Sequence, residues 1–159
     1  MQNDMSVYHV PQPWAIRSAL LAVTDLDRSV TFYRDIGPFE EVIRKDAVAI
    51  LGQVPPGSMF LILREQQSVH AVRHGQESLG LRLIAFNVRS VGELDRIESV
   101  LHDQGRFRSR WTMADGAMEL VSGRDPDNLP LVFVSQDESR NLGAEYYEAI
   151  AERMHSLDV

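Results

Sequence analysis

Few side chains in this 159-residue chain have a type and spacing that suggest chemistry. His70 and His74 are four apart. On a helix they share a face and can pinch a divalent metal. No Glu or Asp lies beside them in the metalloprotease pattern and no third ligand follows, so the competing reading is two solvent-facing histidines. His9 stands in a polar, Pro-punctuated stretch and reads as a surface residue. Glu119 is alone among Met118, Leu120 and Val121. A carboxylate in that company either pairs with Arg108 or Arg110 on a neighbouring strand, or acts as a general base whose proton affinity is raised by desolvation. Tyr33 is a second acid–base candidate. Glu65 ends a strand, at a cavity mouth or in solvent. Trp111 offers either a flat stacking wall or a core side chain. Cysteine is absent, which excludes disulfides, a thiolate nucleophile and Cys-ligated metal.

The elements that must position these groups are legible from periodicity. Residues 16–23 form an apolar run of strand length, and Thr24-Asp25-Leu26-Asp27 stops it. Either Asp can cap the helix that follows, in which Leu26, Val30, Tyr33 and Ile36 recur at helical spacing before Gly37-Pro38. Strands are expected at 39–44, 47–51 and 59–63, with a turn at Gln53-Val54-Pro55-Pro56-Gly57. The polar stretch 66–80 is a linker. A second strand–helix pair follows: strand 81–88, Ser90 as N-cap, and a stripe of Val91, Leu94, Ile97, Val100 and Leu101 before Gly105. Its recurrence marks an internal repeat. Strands at 107–113, 117–122 and 130–135 complete the second unit, with Phe107, Ser109 and Trp111 on one face of the first of these and Arg108 and Arg110 on the other. Beyond it, Leu142, Tyr146, Ile150 and Met154 predict an amphipathic helix that must pack on its own domain, cover a cavity or meet a second subunit.

Bulk properties bound the partners. Apolar residues make up 44% and charged residues 25%, as in an ordinary globular domain. A net charge of −7 with no Lys/Arg block argues against nucleic acid and anionic membrane surfaces. No apolar run can span a bilayer, and the N-terminal stretch does not read as a secretory signal. The cytoplasm is the expected location.

The segments LAVTDLDRSVTFYRDIG, LIAFNVRSVGELDRIESVLHDQG, ADGAMELVSGRDPDN and LPLVFVS resemble the paired modules of the vicinal oxygen chelate superfamily, which includes glyoxalase I, bleomycin-resistance proteins and extradiol dioxygenases. The resemblance covers about residues 14–136. It implies an α+β fold of two tandem βαβββ modules, about 14–65 and 80–136, whose curled mixed sheets surround a cavity. The domain would run over 1–136, with 137–159 as a C-terminal helical extension. It also implies where a metal would be held: on the first and last strands of each module. Those positions here are Ser18, Leu61, Leu83 and Val132. Three apolar side chains and one hydroxyl cannot hold a divalent ion, so the expectation is a scaffold without metal or other cofactor.

With Ser18 and Leu83 facing the cavity, Leu61, Asn87, Trp111 and Val132 join them as candidate ligand-binding residues. Asn87 either bonds a ligand or satisfies backbone at its strand end. The first functional expectation is metal-independent binding of a small apolar or aromatic molecule, of the sequestration or resistance type, by a homodimer. The alternative is a metal-free isomerase, cyclase or lyase using Ser18, Asn87, Glu119 and Tyr33. A metal-dependent lyase or ring-cleaving dioxygenase would need unusual ligands.

Overall fold

The computed structural model describes residues 18–54, 59–66, 83–113 and 116–136. His9, His70 and His74, most of the expected turn after Val54, and the expected helix beyond residue 136 lie outside the described residues. Two sequence-level units follow one another. The first has β1 (Ser18–Val23), α1 (Leu26–Ile36), β2 (Phe39–Lys45), β3 (Val48–Gln53) and β4 (Phe60–Glu65). The second has β5 (Ile84–Val88), α2 (Val91–Asp103), β6 (Phe107–Met113), β7 (Met118–Arg124) and β8 (Pro130–Gln136).

Local chemistry sets both helix starts. Asp25 is extended, and its carboxylate accepts the Arg28 N–H at 2.9 Å. At α2 the Ser90 hydroxyl accepts the Glu93 N–H at 3.2 Å, and the Glu93 carboxylate reaches back to the Arg89 N–H at 3.0 Å. This variant of the capping box satisfies amide groups that the first turn leaves without partners.

The strands form two four-stranded sheets of identical topology, β1-β4-β3-β2 and β5-β8-β7-β6. In each, the first and last strands of the unit pair in parallel and the remaining pairs are antiparallel. These are the tandem βαβββ modules. One core joins them: the stripes of α1 and α2 pack with Ala49, Leu51, Leu61 and Leu63 of the first sheet and Val121, Leu131 and Phe133 of the second. Gly123 lets α2 approach β7, because a Cβ there would stand 2.8 Å from both Leu101 methyls. The helices also meet directly, and the Arg96 guanidinium donates to the carbonyls of Asp35 at 2.9 Å and Ile36 at 2.7 Å, at the C-terminus of α1.

The two sheets thus turn their inner faces to the helices, and they do not close on each other around a cavity. Three other expectations are corrected. The strands at 47–51, 59–63 and 117–122 lie one residue later at their starts and two later at their ends, because pairing with neighbours rather than apolar content sets where a ladder stops. Phe107 and Trp111 do not share a face: an irregularity between Phe107 and Ser109 adds a residue and flips the alternation, leaving Phe107 against the main core and Trp111 on the outer face. Leu61 does not share a face with Ser18. Ser18 pairs with Phe60, and Leu61 pairs with Ala19 on the helix side, fully buried.

Candidate functional site

Register defines what the outer faces carry. On the first sheet, Leu20, Ile62, Ile50 and Ile43 are successive cross-strand partners, an apolar row across all four strands. Leu20 is 58% and Ile43 55% exposed, so this row is open at both ends. The adjoining row is Ser18, Phe60, Gly52 and Glu40. On the second sheet Ala117, Met118, Leu120, Val132 and Val134 form a buried apolar cluster, with Leu83, Trp111 and Met113 against it. Asn87 pairs with Val134, belongs to the same outer face and is exposed.

The structure therefore brings Leu83, Trp111 and Val132 together. It places Ser18 on the other sheet and Leu61 beneath it. The metal-ligand positions implied by the resemblance do not fit an ion. Replacing Leu61 by its outer-face neighbours Phe60 or Ile62 changes nothing, since neither offers a lone pair. Among the described residues no group of three or more His, Asp or Glu side chains gathers closely enough to hold one.

The two acid–base candidates have partners. Glu119 lies on the helix side of β7 and accepts from Arg110 Nη2 at 2.6 Å, while Arg110 Nη1 reaches Asp95 at 2.6 Å and Glu98 at 2.7 Å on α2. These carboxylates raise the Arg110 pKa further above its ordinary value. Tyr33 is fully buried and its hydroxyl donates to Asp125 Oδ2 at 2.9 Å. Burial, then the neighbouring Asp125 charge, pushes the phenol well above its ordinary value of 10.0. It stays neutral at physiological pH and cannot act as a base.

Asp125 and Asp127, which enter the sequence only as part of the segment ADGAMELVSGRDPDN, belong to a second site. Asp125 Oδ1 accepts the N–H groups of Asp127 at 2.9 Å and Leu129 at 2.8 Å, which closes the turn before β8. Asn128 takes the left-handed conformation at φ 75, which asparagine tolerates. Burial raises the Asp125 pKa, and the Leu129, Tyr33 and Asp127 donors partly offset it. Asp127 accepts from the Thr24 N–H at 3.0 Å and from the Thr24 hydroxyl, with Arg28 at 3.3 Å. The turn is a clasp between modules. Tyr33 and Thr24 lie about a hundred residues upstream, so no local pattern reveals their partners. A second feature that the sequence missed is a cleft of about 380 Å³ between the modules, floored by Phe39, Phe86 and Phe133 and bordered by Arg89. Its walls come from six elements, α1, β2, β3, β5, α2 and β8, and only the fold assembles them.

No family model matches the sequence, and no curated protein matches it. Solved structures do. A glyoxylase/bleomycin resistance protein/dioxygenase domain from Frankia sp. EAN1pec is 26% identical, covers 79% of this chain and all of its own, and superposes with a TM-score of 0.66. A fosfomycin resistance protein from Listeria monocytogenes is 16% identical, covers 80% of this chain and 98% of its own, with a TM-score of 0.61. Lactoylglutathione lyase from Agrobacterium tumefaciens is 22% identical, covers 77% of this chain and 94% of its own, with a TM-score of 0.58. The repeated βαβββ topology and this set of neighbours agree: the chain has the glyoxalase/bleomycin resistance/dioxygenase-like fold of the vicinal oxygen chelate superfamily.

Proposed function

We propose that this protein binds a small apolar or aromatic molecule without a metal, on the outer face of its first sheet, and that a second copy closes the site. The observation that carries this reading is the row Leu20, Ile62, Ile50 and Ile43: apolar, exposed at both ends, and on the face where the fold would otherwise present metal ligands. Solvated apolar surface of this kind favours an apolar occupant. Ser18 beside it supplies one hydroxyl for orientation. A resistance protein and a lyase both stand among the structural neighbours, and this scaffold supports more than one activity. The acid–base alternative gains nothing from the geometry, since Glu119 is held by Arg110 and Tyr33 by Asp125.

The test is elemental mass spectrometry on protein purified without chelator or nickel resin, followed by thermal-shift screening of small aromatic and aliphatic compounds. The expected result is no stoichiometric divalent metal and a melting temperature raised by at least one apolar compound. A stoichiometric metal would sink the metal-free reading. An absence of shift with every apolar compound, in protein shown to be folded, would sink the binding reading.

A further inference from the structure

The inter-module cleft lies on the helix side of the sheets, away from the outer-face row, and is independent of the function proposed above. Its volume of about 380 Å³ falls in the range of small-molecule sites, roughly 300–1,000 Å³. Its floor is aromatic. Phe86 stacks on Phe133 with ring centres 5.5 Å apart and planes 14° apart, and meets Phe39 edge-on at 6.2 Å. Phe39 and Phe133 are buried, whereas Phe86 is only half-buried and leaves part of its ring to the cleft. A planar ring continuing this arrangement would gain offset-stacked or edge contacts.

The border is polar. Gln53 and Asn87 are neutral. Glu93 is committed to the Arg89 N–H in the α2 cap, and Ser90 already serves the Glu93 N–H, so the helix end has its partners. The Arg89 guanidinium is exposed and pairs with no described residue. It is the one cation bordering the cleft among the described residues. Guanidinium groups favour planar, bidentate acceptors.

We infer that the cleft between the modules is a binding site for a planar aromatic carboxylate, its ring on Phe86 and its acid group on Arg89. The probe is 1-naphthoate, titrated calorimetrically against the full chain, with 1-naphthylmethylamine as the oppositely charged control. Naphthoate should bind at one site per chain, at least tenfold more tightly than the amine. Arg89→Gln should lower naphthoate affinity at least tenfold. Val54→Trp, which adds bulk at an exposed residue bordering the cleft, should block both probes. Leu20→Arg, on the outer face, should leave naphthoate binding unchanged, which separates this site from the one proposed above. No binding by naphthoate, equal affinity for the amine, or full affinity in either cleft variant would overturn the inference.

Discussion

At the scale of the residue, Tyr33 and Asp125 show how a buried acid pair links stability to pH. Both pKa values are raised in the fold, mainly by burial. For the tyrosine the unfolded chain releases its proton near the ordinary value of 10.0, while the folded chain retains it. Its contribution is therefore complete below that pH and is lost as pH rises toward the folded value. Asp125 follows the same sign: its contribution is complete below the ordinary value of 3.8 and is lost as pH rises through the raised folded value. Tyr33→Phe should remove the alkaline loss attributable to this residue. At neutral pH it should cost about 1–3 kcal/mol, because Asp125 Oδ2 then loses its donor in a dry site. Urea denaturation of both proteins across pH 7 to 11 measures the two effects. Equal slopes above pH 10 would show that the phenol does not titrate as its burial demands. Sequence alone marked Tyr33 and Glu119 as chemical residues because their types are rare in apolar company. It offered Arg110 as one of two partners for Glu119, and the structure selects it, but nothing local pointed to Asp125 as the partner of Tyr33.

At the scale of the element, the helices were legible because their signals are local. Asp25, Gly37 and Ser90 bracket stripes with one period. Strand faces were less so, because one residue reverses every assignment. The reading of Leu61 failed in this way: its parity within β4 was sound, but its register against β1 was unknown. Trp111 and Phe107 separated because the irregularity at Arg108 has no sequence signature. How α2 is fastened to its sheet and to α1 was equally hidden, since it depends on Arg110 and Arg96 reaching across elements. Arg110 gathers Asp95, Glu98 and Glu119 around one guanidinium, three-quarters withdrawn from solvent. Its removal leaves three carboxylates close together. Arg110→Met should destabilise by about 1–2 kcal/mol, a loss that shrinks in high salt because part of the cluster is solvated. Arg96→Ala removes two bonds to the end of α1 and should cost about 1 kcal/mol, also across the joint between modules. Chemical denaturation at low and high ionic strength checks both. A salt-independent loss for Arg110→Met would mean that lost packing, not charge, is responsible.

At the scale of the whole molecule, the question is what the open sheet face meets. Both helices are sandwiched between the sheets, so the first sheet turns the row of Leu20, Ile62, Ile50 and Ile43 outward, and Val42 beside it is 65% exposed. A face of four strands and six residues spans roughly 20 Å in each direction, and the apolar row crosses it from one edge strand to the other. A two-fold partner presents the same face, and self-complementary contact needs no second surface. The sequence supports a dimer only on the general ground that symmetric pairs are the commonest assembly, whereas the register names the residues that such a contact would use. The protein should therefore sediment at twice its chain mass of 18.0 kDa. Leu20→Arg places a charge at one end of the apolar row, within the contact. Because Leu20 is already exposed in the single chain, the variant should keep its circular dichroism spectrum and melting cooperativity while sedimenting as a monomer. Ile43→Lys, at the far end of the same row, should act likewise but more weakly. A wild-type protein that stays monomeric at high micromolar concentration would leave the row without a second copy to cover it. A dimer that survives both substitutions would place the interface on another surface. If the apolar ligand binds between two copies, its thermal shift must disappear together with the dimer in Leu20→Arg; a shift retained in the monomer would confine the site to one chain.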